Sequence, residues 1–472
     1  MKKGMCEKYD YVVIGSGPAG YVAAVTASQL GLKTAVVEKN SDMLGGVCLN
    51  EGCIPLKSII DSAKKVDVIR NSSGLCKGKI EAGEVNLSEI IKKSRLSVEM
   101  LKKGLTFLFR KNKIDLLLGE ARFLDNNTVS VLEVSGTQCN VMAKNFLIAT
   151  GSEPKEVEAL KYDGERIISS SEAVRLDKIP ARILIVGGGA IGVEFASFYN
   201  SMGSVVTLIE AENRLLPTED KEISRGTRTI FEKKGINVLT GGTVKKTFCK
   251  KNTVAVEMEA AGEITKETYD IVLVCVGRAP SSSRLSLETA GVQVDRNQFI
   301  PVDECMRTNV KNIFAAGDVI KTPMLAHTAQ AEGEIAAKIA AGQSVEVINY
   351  KVVPRVVYSE VQTASVGMTE AQARSKDIDI AIGKQFFRSN GLALVKDETE
   401  GFIKIIADKK NRLILGAHIL GYNAAELIHE FVAAIEAGLS VDKLAGTIHA
   451  HPTFAETVQD AARAVFGKSI HG

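Results

Sequence analysis

Apolar and polar positions along the first two thirds of the chain fall into short buried-strand runs that alternate with amphipathic helical stretches. Residues 11–14 read as a buried parallel strand, 21–30 as an apolar-faced helix and 34–37 as a second strand that ends at Glu38. The pattern returns at 183–210, every element displaced by 172 residues, and its second strand also ends on an acid, Glu210. Two further apolar strands run into Thr150-Gly151-Ser152 and into Gly277-Arg278, and each closes one of these units. A third, 312–316, runs into Gly317-Asp318. Because it lies beyond the second unit, the first domain is expected to be discontinuous, with the second inserted in it. Past residue 350 the texture changes: strands 354–357, 401–406 and 413–419 and helices 424–437 and 441–444 predict a third, α+β domain.

The turns inside the repeated units carry chemistry. The first strand of the first unit opens on Gly15-x-Gly17-x-x-Gly20, and that of the second on Gly187-x-Gly189-x-x-Gly192. Glycine is required three times for three reasons: a tight turn, close approach of backbone to a pyrophosphate, and close packing of helix on strand. The helix behind, begun in the second unit by Ala190-Ile191, offers its unpaired amides to phosphate. One such motif is weak, but two complete strand–helix–strand–acid units at one offset predict two bound dinucleotides. Glu38 and Glu210 each stand 18 positions after the last glycine, where an acid suits a free ribose 2′-hydroxyl and arginine would suit a 2′-phosphate. The expected fold class is α/β: two Rossmann-like dinucleotide-binding domains, the second inserted in the first, plus the C-terminal α+β domain. The expected boundaries are 1–150 with 279–349, then 151–278, then 350–472.

Composition narrows the partners. A chain of 472 residues, at about 150 per domain, agrees with three domains. The 59 basic and 56 acidic side chains leave a formal charge of +3, too little to mark nucleic acid or an anionic membrane surface as a partner. No apolar run approaches the roughly 20 residues of a membrane span, and the N-terminal segment has neither signal-peptide nor transit-peptide character. Eight cysteines are too sparse for an extracellular disulfide framework, so a cytoplasmic location is expected and most of them should be small buried residues. Cys48 and Cys53 differ, standing in Gly45-Gly46-Val47-Cys48-Leu49-Asn50-Glu51-Gly52-Cys53-Ile54-Pro55. Five residues of straight helix rise about 7.5 Å, beyond the roughly 4.4–6.8 Å of Cα separation that a disulfide tolerates. A bridge would need the bend that Gly46 and Gly52 allow; two unrelated thiols or a metal pair are the alternatives, and C-x₄-C is not a zinc spacing. No metal site is expected.

The run from Gly45 to Pro55 resembles the redox motif of the flavin-dependent pyridine nucleotide–disulfide oxidoreductases. Gly15 to Gly20, Ala149 to Gly151, Gly187 to Glu194, Gly317-Asp318, Met324-Leu325-Ala326-His327 and His449-Ala450-His451-Pro452-Thr453 extend the resemblance over essentially the whole chain. It implies FAD and NAD as cofactors, Cys48 and Cys53 as a redox-active disulfide, and His451, oriented by Glu456, as general base. It implies an ion pair of Lys57 with Glu194 beside the flavin. Glu38 would hold the adenosine ribose and Asp318 the ribityl or phosphate region. Gly119, Thr150, Gly151 and Ser152 would line the FAD path, Met324 to His327 would touch the flavin largely through backbone, and Gly277, Arg278 and Val244 would border the NAD site. His449 could shape the pocket. The third domain would be a dimerisation domain and the protein a homodimer.

Within the family, Glu210, the segment Gly416 to Gly421 and the lack of any cysteine after Cys305 favour oxidation of protein-bound dihydrolipoamide by NAD⁺. The partners would then be the lipoyl domains of 2-oxo acid dehydrogenase or glycine-cleavage complexes. The rivals are a reductase of a low-molecular-weight disulfide such as glutathione disulfide, and a flavin-bound scaffold without turnover. Three departures from the usual pattern bear on rate and potential: Leu56 in place of a small hydroxyl residue before Lys57, Val47 in place of threonine, and a segment 356–367 without the usual His-Pro.

Overall fold

A computed structural model describes residues 7–71 and 83–471. They form two compact units, one gathering 7–59, 88–155 and 277–348, the other 60–71, 83–87, 156–276 and 349–471. The first unit is discontinuous, and the segment with Gly317-Asp318 belongs to it.

The first unit is built on a seven-stranded sheet. Its parallel strands are Asp115–Leu118, Thr34–Glu38, Glu7–Ile14, Gln138–Ile148 and Ile313–Ala315, and Glu120–Asp125 and Thr128–Leu132 extend it antiparallel. Tyr11, Val12 and Val13 are all fully buried, as expected of a parallel strand covered on both faces, and this is why its sequence is continuously apolar. Helices Pro18–Gln29 and Ala326–Ala340 pack closely through small residues. A Cβ on Gly333 would lie 2.2 Å from the carbonyl oxygen of Ala19. Helix Leu87–Lys111 is an additional element, its buried Leu87, Ile91, Val98, Leu105 and Phe109 lying along one face.

The second unit holds a parallel sheet in the order Asn237–Thr240, Val205–Glu210, Arg182–Val186, Ile271–Val274, Ile167–Ile168. A three-stranded antiparallel sheet, Thr243–Cys249, Val254–Ala260 and Glu263–Tyr269, adds to it. The C-terminal segment forms a five-stranded antiparallel sheet, ordered Arg355–Val357, Thr363–Gly367, Ile414–Gly421, Gly401–Asp408, Ile380–Phe386. Three of these strands and the helices Ala424–Glu436 and Val441–Gly446 lie where the pattern predicts them; Thr363–Gly367 and Ile380–Phe386 are additional. One sheet face packs Ile403, Ile405, Ala417 and Ile419 into a core with Ile428 and Val458 from the C-terminal helices. The other sets Phe402 and Leu420 against Ile223 and Ile230 of helix Lys221–Lys233. Among the described residues no helix is long and apolar enough to cross a membrane.

Candidate active site

The two cysteines meet where a helix breaks. Helix Gly46–Asn50 ends at Glu51, and helix Cys53–Asn71 starts two residues later. At Gly52 the chain folds back so tightly that a Cβ there would lie 3.1 Å from the Val47 carbonyl oxygen and 3.3 Å from the Cys48 Cα. Buried Asn50 secures the entry, donating to the carbonyls of Leu44 at 3.0 Å and Gly46 at 2.8 Å. The bend expected from the glycines is therefore present, and it sets the Cys48 side chain beside that of Cys53. Their side chains are hydrogen-bonded, and this contact, with burial second, pushes the Cys48 thiol far above its ordinary range while the positive charge of Lys57 opposes the rise. A negative charge on Cys53 would thus disfavour ionisation of Cys48.

The other described cysteines are less buried than expected of small core residues. Cys139, Cys275 and Cys305 are half-buried, and Cys249 is exposed, 3.5 Å from a carboxylate oxygen of Asp163. Cys6 and Cys76 lie outside the described residues.

Both glycine turns have the geometry their spacing demands. Gly15 and Gly187 adopt φ of +102° and +109°, where a Cβ would strike the carbonyl oxygens of Ala149 and Cys275, each at 2.4 Å. Gly20 and Gly192 admit no side chain because the carbonyl oxygens of Gly15 and Gly187 would lie 1.9 Å and 1.8 Å from it. The middle glycines face space: a Cβ on Gly17 meets only Gly46 at 3.9 Å and one on Gly189 nothing within 4 Å. No side chain caps the helices that start at Pro18 and Ala190. Clear space before an uncapped helix N-terminus fits a pyrophosphate at both turns.

The acids that end the second strands brace these turns. Glu38 accepts from Ser16 N–H at 3.1 Å, Ser16 Oγ–H at 2.6 Å and Asn40 N–H at 3.2 Å. Glu210 accepts from Gly188 N–H at 2.5 Å and Glu212 N–H at 2.8 Å. Ser16 was missed as a site residue, though its place between two fingerprint glycines was the available signal.

The other predicted residues make contacts of their own. Ser152 Oγ donates to Asp318 at 2.6 Å, and Thr150 Oγ1 donates to the Ser281 carbonyl at 2.7 Å. Arg278, expected with the NAD set, has its guanidinium on Ser152, with Nε 2.6 Å from Oγ and Nη2 2.5 Å from the carbonyl oxygen, and 3.9 Å from Asp318. Buried Glu332, unanticipated, accepts the Gly317 N–H at 2.8 Å. Gly119 donates to the Glu38 carbonyl at 2.9 Å. Gly151 and Gly277 adopt positive φ, +71° and +111°. Leu325 flanks and Ala326 opens helix Ala326–Ala340, with Met324 just before and exposed His327 just after. Val244 lies at an irregular register beside the core of the second unit. Glu194 is buried on helix Ala190–Ser201 and accepts the Tyr358 N–H at 2.9 Å.

His451 and Glu456 come together as the resemblance implies. The histidine Nδ1 lies 2.9 Å from Glu456 Oε1, and Glu456 Oε2 accepts the Thr453 N–H at 2.8 Å. Burial raises the Glu456 carboxyl, but the Thr453 amide and His451 outweigh it and hold it below the ordinary carboxylate range. A carboxylate on Nδ1–H leaves Nε2 with the lone pair, the tautomer a base needs. Both residues line a cavity of about 140 Å³ with Gln385, Asn390, Asp460 and His471. His449 instead meets Glu430 at 3.0 Å and the Thr447 carbonyl at 3.0 Å.

Comparison with known proteins identifies the family. Residues 9–333 match the family described as pyridine nucleotide-disulphide oxidoreductase, and residues 353–462 match its dimerisation domain. The chain belongs to the pyridine nucleotide-disulphide oxidoreductases. It is similar to the dihydrolipoyl dehydrogenase of Bacillus subtilis (strain 168), 40% identical over 98% of this chain and 97% of that protein. It is also similar to the mitochondrial dihydrolipoyl dehydrogenase of Pisum sativum, 38% identical over 98% and 93%. Among solved structures, LpdA from Mycobacterium tuberculosis aligns with a TM-score of 0.89 at 26% identity, over 96% of this chain and 99% of that one. The HOCl-induced flavoprotein disulfide reductase RclA from Escherichia coli aligns with a TM-score of 0.85 at 28% identity, over 96% and 99%.

Proposed function

We propose that this protein is a dihydrolipoyl dehydrogenase that oxidises protein-bound dihydrolipoamide to lipoamide. Its cofactors are FAD and NAD, and its dimerisation domain makes it a homodimer. The observation that carries the reading is the contact of the Cys48 and Cys53 thiols at a broken helix start, on a chain 40% identical to an enzyme of that name.

The first dinucleotide turn, with Glu38, Gly119, Thr150 to Ser152, Asp318 and Met324 to His327, would hold FAD. The second, with Glu210, Val244, Gly277 and Arg278, would hold NAD. When bound, FAD would supply the acceptor for the electron pair of the reduced cysteines, and NAD⁺ would supply the final acceptor, as hydride. The protein's own steps precede that transfer. His451 Nε2, reaching the site across the dimer interface as the resemblance implies, takes a proton from one thiol of the substrate, with Glu456 stabilising the imidazolium. The thiolate attacks Cys48 of the oxidised pair, forming a mixed disulfide and releasing Cys53 as thiolate. The second substrate thiol attacks its own mixed-disulfide sulfur as its proton passes to the departing Cys48 sulfur. Cyclic lipoamide leaves and both cysteines are reduced. Lys57 holds the resulting negative charge, and its pairing with Glu194 belongs to this proposal.

The proposal also covers the division into an FAD domain (1–150 and 279–349), an NAD domain (151–278) and an interface domain (350–472). It further covers lipoyl domains of 2-oxo acid dehydrogenase or glycine-cleavage complexes as partners and a cytoplasmic location, supported by sparse cysteine usage. A steady-state assay tests the central claim. Turnover with dihydrolipoamide and NAD⁺ is expected, with little activity on NADP⁺; activity only with NADPH and glutathione disulfide would overturn it.

A further inference from the structure

A row of polar side chains spans the C-terminal sheet. Arg355 lies opposite Ser365, Ser365 opposite His418, His418 opposite Lys404, and Lys404 opposite Lys384. Directly opposed residues of neighbouring strands share a face, so all five strands contribute to one line. Two positions along, the same face carries Phe402 and Leu420, the residues that receive helix Lys221–Lys233. Gly226 of that helix approaches Leu420 so closely that a Cβ would lie 2.4 Å from its Cδ2.

The start of the helix brings carboxylates onto this row. Lys404 is 1% exposed and lies 3.0 Å from Asp220, 2.9 Å from Glu222 and 2.7 Å from Glu370. Lys384 pairs with Glu222, and Arg355 Nε lies 2.9 Å from Glu219. His418 is fully buried beside them, its Nε2 3.0 Å from the Met368 carbonyl oxygen. Ion pairs removed from water return little net stability, because desolvation offsets their attraction. What they supply is a defined geometry for whatever they hold.

What they hold leads to the second dinucleotide turn. Asp220 caps the helix, accepting the Glu222 N–H at 3.0 Å. Glu219 N–H donates to the Leu216 carbonyl at 2.9 Å, and Ser224 Oγ reaches the same oxygen at 3.2 Å. Leu216 N–H donates in turn to the Gly188 carbonyl at 2.8 Å, and Leu215 Cδ2 would lie 2.6 Å from a Cβ at Gly188. Gly188 is the residue between the first two fingerprint glycines. We propose that Lys404 and its row are a positioning device for the pyridine-nucleotide turn. By fixing Asp220 and Glu222 on the C-terminal sheet, they seat Leu215 and Leu216 against Gly188 and so set the affinity for NAD⁺. The inference rests on the reading of Gly187 to Gly192 as the NAD turn. Lys404 acts through Asp220 and Leu216.

The test uses the holoenzyme as wild type, Lys404→Met, Lys404→Arg and Glu222→Gln. NAD⁺ binding is read by calorimetry and by KM, and reduction of the enzyme by dihydrolipoamide without NAD⁺ is read from flavin absorbance. Lys404→Met is expected to raise the Kd and KM for NAD⁺ roughly tenfold, with flavin content and dithiol reduction unchanged. Lys404→Arg should restore most of the affinity. Glu222→Gln, at the rim of the row, should show a smaller rise of the same kind, and it decides the question if Lys404→Met does not fold. An unchanged NAD⁺ Kd in the folded variants, or an equal loss in the dithiol half-reaction, overturns the positioning role. Wild-type holoenzyme that fails to bind NAD⁺ would instead overturn the reading of the turn.

Discussion

The two glycine turns, 172 residues apart in one chain, solve the same local problem and are tied to different surroundings. In both, the first glycine needs a positive φ against a neighbouring strand, the third has no room for a side chain, and the acid ending the second strand accepts a backbone amide of the turn. The difference lies at the residue between the first two glycines. Ser16 donates to Glu38 and accepts from the Gly45 N–H at 3.0 Å, and a Cβ on Gly46 would lie 2.6 Å from the Gly17 Cα. The first turn therefore rests against the segment that carries Cys48. Gly188 has neither the hydroxyl nor the room for one, and its carbonyl is bound by Leu216 of the segment leading to Asp220. One local motif is thus coupled to the segment of Cys48, the other to the C-terminal sheet.

The strongest way to break this comparison is at the chemistry that only the first turn supports. Cys48→Ser should lower dithiol oxidation by roughly 10⁴-fold or more while NAD⁺ still binds with its normal Kd. Retained turnover would detach the first turn from the reaction. A smaller effect separates the turns themselves. Gly188→Ala places a Cβ 2.6 Å from Leu215 and 3.0 Å from Glu210, and should raise the NAD⁺ Kd about tenfold while FAD is retained. Ser16→Ala removes the hydroxyl's two hydrogen bonds, each worth about 1 kcal/mol, and should weaken FAD retention without changing NAD⁺ binding. Equal damage to both nucleotides from either substitution would show that the turns are not independent.

The smallest effect is on stability against pH. Burial raises the carboxyl of Asp220, but His418, the Glu222 amide and Lys404 together hold it below its ordinary value. Glu222 is raised by burial and lowered further by Lys384 and Lys404, and Glu370 is lowered chiefly by Lys404. A carboxylate with a depressed folded pKa contributes stability above its unfolded value, 3.8 for Asp and 4.5 for Glu, and loses it as pH falls through the folded value. The melting temperature should therefore drop as pH falls below about 4, and drop less in Lys404→Met, whose carboxylates have lost their cation. Acid losses of equal size in the two proteins would remove the row from the account of the second turn.

The amino-acid sequence alone determined those parts whose causes are local. A strand, a glycine turn, a helix, a second strand and its terminal acid lie within about 30 residues, so periodicity and glycine placement reveal both dinucleotide units. Cys48 with Cys53, and His451 with Glu456, are five positions apart, and local bends bring each pair together. Only the tertiary structure decided what depends on strands meeting across long separations. Lys404 sits in Gly401–Asp408 as an ordinary charge in an apolar strand, yet it is 1% exposed, because helix Lys221–Lys233 covers that face. The alignment of Arg355, Ser365, His418, Lys404 and Lys384 is set by the register of five strands. No period along the chain encodes that register. Arg278 turned toward Ser152, and His449 toward Glu430, for the same reason: their partners lie 126 and 19 positions away. Pairing at such distances is selected by the packed fold.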